Sequence, residues 1–277
     1  MNATLKRLTE NDKPLFLSMQ TGIEDDYIAR IFDRLVSSDS HVLYGLFHQG
    51  TLVSTAGYSL FAEGTYAMLG RFRSDENHRG KGFVTEILQH IIAELQTNPD
   101  IKWIGANTET TNTQAKRVLE KLGMTPYPPL TYTVVPREEF QKHSEQKHDW
   151  TEVTSPEEKI RLVKSLHPGR LFAYECYYPF PLSSELLREF FQKQTRLFID
   201  PSGSRYVVFT EDIKGQTYTN VIYPWTDAAS SPRLHQVIRE VLQDHEHHYG
   251  AWFNQQHTDP PLPFQTESRG EWVLYSM

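Results

Sequence analysis

Residues 79–82 read Arg-Gly-Lys-Gly, directly ahead of a stretch with helical apolar spacing. Glycine is costly at a helix start unless the backbone must turn tightly or be approached closely. The first N–H groups of a helix lack intrahelical partners and carry the positive end of its dipole, so a strand–loop–helix of this composition makes an anion site. Gly80 and Gly82 would let a phosphate sit against the backbone. Arg79 and Lys81 add charge locally in a chain whose formal net charge is -7. Neither a Walker loop nor Gly-x-Gly-x-x-Gly is present. A second run able to do chemistry is "DHEHHYG", residues 244–250. His245 and His248 are three apart and His247 is adjacent, so two imidazoles could share a helical face. The run lies at a helix end before Gly250, where polar and cationic residues are expected, and the sequence offers no second ligand cluster. No metal is expected. Cys176, the only cysteine, has no local partner to lower its pKa and reads as a small buried apolar residue rather than a nucleophile.

The elements that would position the glycine loop follow from periodicity. "TLKRLTENDKPLFLSMQ" reads as a short strand, then Thr9 as a helix cap. Tyr27, Ile28, Ile31, Phe32 and Leu35 mark a second helix. "HVLYGLFHQGTLVSTAGYSLF" is a hairpin turning at His48-Gln49-Gly50, and "TYAMLGRF" is the strand that enters the loop. Phe83, Ile87, Leu88, Ile91, Ile92 and Leu95 form one face of the helix that leaves it. "KWIGANTE", "NTQAKRVLEKLG" and "LTYTVVP" continue as strand, helix and strand. A helix crossing between strands implies a mixed α/β sheet.

Residues 136–150 are polar and charge-rich and read as a linker. Beyond them the order returns: "TEVTSPEEKIRLVKSL" as strand, cap and helix, "TRLFIDPSGSRYVVFTED" as hairpin, "TYTNVIYPW" as strand and "SPRLHQVIREVL" as helix. Gly50 precedes Arg71 by 21 residues, as Gly203 precedes Pro224. An internal repeat is expected, with domains at 1–135 and 151–277. In the second, Ser231 and Pro232 make an ordinary helix start with no glycine loop. "FAYECYYPFPL" is dense in aromatics and reads as core strand and turn, or as the border of a substrate site or interface.

At "NTETTNTQAKRVLEKLGM", residues 107–124, the chain resembles the GCN5-related N-acetyltransferase (GNAT) superfamily. Members carry Arg-Gly-x-Gly-x-Gly/Ala at a helix start, then a motif close to Asn-x-x-Ala-x-x-x-Tyr-x-x-x-Gly-Phe. Arg79, Gly80, Gly82, Asn112, Ala115, Gly123 and Met124 fall at matching places, and the resemblance covers roughly residues 4–135. It implies a GNAT fold with a splayed mixed sheet, followed by a degenerate GNAT-like domain. It also implies acetyl-CoA as acyl donor, with its pyrophosphate on the loop Arg79–Val84. Its pantetheine arm would run along the strand end Phe72–Ser74, and Asn112 would touch the arm from the next helix; Lys81 and Phe83 belong to the same set. Two departures stand out. Val84 replaces the last small residue of the loop, and Leu119 replaces the tyrosine that protonates the leaving thiolate.

The resemblance further implies direct attack of a neutral amine on the thioester, with backbone N–H groups stabilising the oxyanion. A base is then required. Glu24, Asp25 and Asp26 near the second helix and Glu63 before the loop strand are candidates; "EDD" equally suits a helix N-terminus. Tyr127 could replace the missing acid. Arg71 and Arg73 alternate with Phe72 and share one face, to hold an acidic substrate or cofactor phosphate or to form surface ion pairs. The acceptor is a small-molecule or peptide amine. The second domain would wall off the acceptor cleft or supply an oligomer surface, a homodimer included. Because of Leu119, a non-catalytic acyl-CoA sensor is the competing reading; a longer-chain acyltransferase is a third.

With 277 residues, 38% hydrophobic and 23% charged, the chain has the makings of one large or two ordinary folded domains. The acidic balance argues against nonspecific nucleic-acid binding, and no apolar run reaches membrane-span length. The N-terminus lacks the apolar core of a signal peptide and one cysteine suits a reducing compartment, so the expected location is cytoplasmic.

Overall fold

The computed structural model describes residues 3–142, 148–169 and 171–277. Two compact units account for it: Met1–Tyr127 with Leu274–Met277, and Pro128–Val273.

In the first unit, β1 (Ala3–Arg7), β2 (His41–His48), β3 (Thr51–Phe61), β4 (Tyr66–Ser74) and β5 (Trp103–Glu109) lie side by side in that order. The first four are antiparallel; β4 and β5 are parallel. Gln49 and Gly50 take φ of 52° and 81°, the pair of left-handed residues that a two-residue hairpin turn requires. Between β1 and β2 run α1 (Lys13–Ser18) and α2 (Tyr27–Ser37). Phe16, Ile28, Phe32 and Leu35 from these helices close over Leu8, Leu43 and Leu52. The crossover from β4 to β5 is α3 (Phe83–Thr97), whose Ile87, Leu88 and Ile91 are fully buried. Tyr44 of β2 donates to Glu94 of α3 at 2.5 Å and ties that helix to the sheet. α4 (Thr113–Lys121) and β6 (Thr125–Pro126) follow. Gly123, at φ 81°, closes α4 with Met124 N–H donating back to Leu119 O, the glycine-ended helix stop.

The second unit opens with β7 (Leu130–Pro136) and α5 (Arg137–Gln141). Then come β8 (Thr151–Val153), α6 (Pro156–Leu166), the small two-stranded sheet of β9 (Leu171–Glu175) and β10 (Tyr178–Pro181), and α7 (Ser184–Phe190). They are followed by β11 (Thr195–Ile199), β12 (Tyr206–Lys214), β13 (Gln216–Ile222), α8 (Pro232–Asp244), β14 (Gly250–Gln256) and β15 (Glu267–Ser276). The main-sheet order is β8-β11-β12-β13-β14-β7, with β13 and β14 parallel and joined by α8. This repeats β1-β2-β3-β4-β5 with its crossover α3, so the expected repeat is present as topology.

The strand allocation differs from the expectation at both ends. "LTYTVVP" is β7 and pairs with β14, so it belongs to the second unit rather than to residues 1–135. The chain's last residues return to the first unit: Met277 N–H donates to Ile104 O at 3.1 Å, and Tyr275 and Ser276 pair with Pro126 and Thr125. Of the expected linker 136–150, residues 143–147 lie outside the described residues. The described remainder is no linker. Phe140 and Trp150 are buried among Val237, Val241 and Phe253, because those apolar side chains supply core that α8 and β14 would otherwise lack.

"FAYECYYPFPL" forms β9, a turn and β10, with Phe172 and Tyr174 buried against Phe190 and Phe180 against Tyr174. Cys176 is buried, and burial followed by the nearby Asp212 carboxylate pushes its thiol far above the usual range. Among the described residues, no helix is long and apolar enough to cross a membrane.

Candidate active site

The parallel pairing of β4 and β5 runs from Tyr66–Trp103 to Leu69–Ala106 and then stops, although β4 continues to Ser74 and β5 to Glu109. The two strand ends part. A bulge in β4 accompanies the parting: Gly57 of β3 faces Gly70 and Thr55 faces Arg73, so Ala56 alone stands opposite Arg71 and Phe72. Arg71 takes φ 61°, a left-handed conformation rare outside glycine, and the extra residue bends the strand. Phe72–Ser74 therefore border an opening on the β5 side, with Arg73 and Ser74 still paired to Thr55 and Ser54 of β3.

Beyond Ser74 the chain is pinned before it reaches the glycines. The buried carboxylate of Asp75 accepts from Gln20 N–H at 3.1 Å and Asn77 N–H at 3.0 Å, and lies 3.0 Å from His78 Nδ1. The His78 contact is the main reason that carboxyl sits below its ordinary range. Glu76 N–H donates to Gln20 O at 2.8 Å. Gly80 and Gly82 then take φ of 76° and 83°. A Cβ at either would meet nothing within 4 Å, so the left-handed backbone, not crowding, demands glycine there. Gly82 is the N-cap of α3 and offers no side chain to its N–H groups; its carbonyl accepts the first helical bond from Glu86. The amides of Phe83, Val84 and Thr85 thus face outward from a helix end without a side-chain cap.

Of the residues expected to hold a cofactor, Phe72, Ser74, Gly80, Lys81, Gly82, Phe83 and Val84 are consecutive parts of this strand–loop–helix. The Phe83 ring packs 5.9 Å from His48 and anchors the helix start to the β2 hairpin end. Arg79 turns away from the glycines: Nη2 donates to Thr21 O at 2.5 Å and Nη1 lies 3.4 Å from Glu76. Asn112 is the N-cap of α4, its Oδ1 accepting from Ala115 N–H at 3.1 Å, so the oxygen serves the helix. Leu119 is fully buried.

The proposed acid and base residues are scattered. Glu24 and Asp25 are exposed before α2, Asp25 paired with Arg30. Asp26 caps α2 through Ile28 N–H and binds Arg73 with both oxygens. Glu63 sits in the left-handed turn that starts β4, on the order of 20 Å of strand away from Phe72. Tyr127 donates its backbone N–H to Leu274 O.

A polar relay absent from the sequence reading lies next to the bulge. Arg71 Nη2 donates to Ser59 Oγ at 2.7 Å, and Ser59 Oγ is 2.8 Å from His41 Nδ1. A guanidinium only donates, so Ser59 Oγ is the acceptor toward Arg71, while its direction toward His41 follows the imidazole tautomer. Burial, then the Arg71 and Arg34 charges, bring His41 down to about 4. At neutral pH it is uncharged and a weak base. Arg71 was legible as a strand residue; its tie to residues 59 and 41 was not.

The second unit differs mainly at the helix start. β13 and β14 stay paired from Tyr218–Gly250 to Val221–Phe253, one residue short of the β13 end. Ser231 caps α8 through Leu234 N–H, and Pro232 has no N–H to offer. β14 runs on to Gln256 past this pairing, as β5 does past its own, but the helix start is self-capped and carries no glycine loop.

A model of the acetyltransferase (GNAT) domain matches residues 5–125. Residues 5–125 are a GNAT domain. Acyl transfer is the chemistry of that domain family. Solved structures extend the likeness in fold to both units of the chain. A GCN5-related N-acetyltransferase from Sphaerobacter thermophilus is 11% identical with a TM-score of 0.61, over 99% of this chain and 95% of that one. A provisionally named acetyltransferase from Thermoplasma acidophilum is 15% identical with a TM-score of 0.58, over 99% of each chain. No curated protein sequence matches significantly. The parted β4 and β5 and the uncapped start of α3 both lie within the matched residues 5–125.

Proposed function

We propose that the GNAT domain transfers an acetyl group from acetyl-CoA to a primary amine by direct attack. The observation that carries this reading is the adjacency of two openings. β4 and β5 part after Leu69 and Ala106, and the same strand leads within a few residues into a helix whose first amides are free. An extended arm with amide groups suits the unpaired edge of Arg71–Ser74, and a diphosphate suits the α3 N-terminus. Lys81 lies beside those amides as an exposed cation; Arg79 acts indirectly, by holding the loop to Thr21.

For the acceptor, Glu24 is the carboxylate of this run left without a described ion pair, since Asp25 pairs with Arg30 and Asp26 with Arg73. Leu119 can donate nothing, so the thiolate takes its proton from solvent or from the acceptor's own ammonium product. A single buried thiol fits a reducing cytoplasm, where acetyl-CoA is made.

The test is calorimetric titration with acetyl-CoA followed by thiol-release assays over a panel of small and peptide amines. Saturable binding with turnover on at least one amine is the expected result. Binding of CoA with no turnover on any amine would favour the sensor reading, for which buried Leu119 is the supporting observation. No binding at all rejects both.

A further inference from the structure

Outside the acyl-transfer site, the second unit gathers imidazoles and a carboxylate from distant parts of the sequence. β12 and β13 are antiparallel, and Glu211 stands directly opposite Thr219. Both side chains therefore rise from one face of the sheet. α8 ends at Asp244, and the following turn is held by His248 N–H donating to His245 O and Tyr249 N–H donating to Thr217 O. That turn lays His248 over the Glu211–Thr219 pair. Nδ1 of His248 is 2.7 Å from Thr219 Oγ1, and Nε2 is 2.9 Å from Glu211 Oε2. His247 Nε2 comes to 3.3 Å from the same carboxylate oxygen.

We propose that Glu211, His247 and His248 form a binding site for a divalent transition-metal ion of the zinc type. Their ligand atoms all lie within 4.8 Å of one another. Around a tetrahedral ion with bonds of about 2.0–2.1 Å, neighbouring ligand atoms stand roughly 3.4 Å apart, so small rotations suffice. Two imidazoles and one carboxylate suit zinc and its neighbours better than calcium or magnesium, which take oxygen ligands. Thr219 is the outer partner that fixes the His248 ring, as the second nitrogen of a metal-bound histidine usually requires. The His248 side chain is 2% exposed, against 65% for His247 and 50% for Glu211, so one ligand is locked and a further position faces water. A bound ion would tie β12 to the turn that enters β14.

The full chain, stripped with chelator, is titrated with zinc by calorimetry, and with cobalt(II) while its visible spectrum is recorded. One saturable equivalent in the micromolar range, a cobalt absorption band of low coordination number, and a zinc-dependent rise in melting temperature are expected. His247→Ala and Glu211→Gln, both at exposed positions, should each weaken zinc about tenfold or more while leaving the metal-free melting temperature unchanged. Because the chain has 12 histidines, His90→Ala in the first unit serves as control and should bind zinc like the parent. Absence of saturable binding below ~1 mM zinc, or undiminished binding in both His247→Ala and Glu211→Gln, overturns the proposal.

Discussion

Asp26 grips Arg73 with both carboxylate oxygens, Nε to Oδ2 at 2.6 Å and Nη2 to Oδ1 at 2.8 Å, across 47 positions of sequence. The same carboxylate caps α2 through Ile28 N–H. One residue thereby joins the start of α2 to the end of β4, next to the strand opening. Its side chain is 9% exposed and that of Arg73 15%, so removing either partner strands a buried charge. Arg73→Ala should cost about 2–4 kcal/mol, read from denaturant midpoints.

The pair also has an acid signature. Burial raises the Asp26 carboxyl, but hydrogen bonds from Arg73 and Ile28 and the Arg73 and Arg30 charges outweigh it, and the net shift is downward. A depressed folded value means that its stabilisation is complete above the unfolded value, about 3.9, and is lost as pH falls through the folded one. Asp26→Asn should therefore lower stability at neutral pH and flatten the loss below about pH 4. An unaltered acid limb in the variant would count against the pair.

His41 titrates in a different window. Its folded value of about 4 lies below the ordinary 6.5. Between those values the unfolded chain binds a proton that the native chain refuses, so stability rises with pH there. Its contribution is whole above about pH 6.5 and is lost as pH falls toward 4. His41→Gln should remove that slope, measurable as the difference between urea midpoints near about pH 7 and about pH 4.5.

Gly82→Ala separates backbone strain from ligand exclusion. The left-handed φ alone predicts a loss of about 1–2 kcal/mol in stability, since no atom crowds the new Cβ. Acetyl-CoA affinity, if the loop holds a diphosphate, should fall by much more than that strain implies. A variant that loses stability yet binds acetyl-CoA like the parent would remove the loop from the proposed site.

Leu119→Tyr tests whether the missing hydroxyl can simply be restored. Leu119 has no exposed surface, so the larger ring overpacks the core and should cost about 1–3 kcal/mol without raising turnover. A rise in turnover would show that the position does reach the reacting thiol.

Tyr275 is 1% exposed and donates to Glu120 at 3.1 Å within the first unit. Deleting residues 274–277 removes that ring and the Met277 bond to Ile104. The truncated chain should lose cooperative unfolding of the first unit, and a fragment ending at Tyr127 should not fold alone, as judged by near-ultraviolet circular dichroism.

Local features were legible in the sequence because local rules create them. Apolar spacing marks α3 and α8, Gln49-Gly50 can only turn a hairpin one way, and two glycines before Phe83 announce a left-handed, uncapped helix start. The paired motifs at 79–82 and 112–124 identified the domain. What each side chain does once the sheet forms was not legible. Arg79, read as a phosphate ligand, faces Thr21; Asn112 caps its own helix; Phe140 and Trp150, read as linker, are core.

Chain order and residue type by themselves determined which segments become strands and helices and where an anion could meet free amides, since those depend on near neighbours and on φ. Only the tertiary structure decided that β4 bulges at Arg71 and runs on past its pairing with β5, that β7 serves the second unit while residues 274–277 return to the first, and that Glu211 meets His247 and His248. Strand pairing is a contest among distant backbone edges of nearly equal hydrogen-bonding capacity, and its outcome rests on which side chains can be buried together.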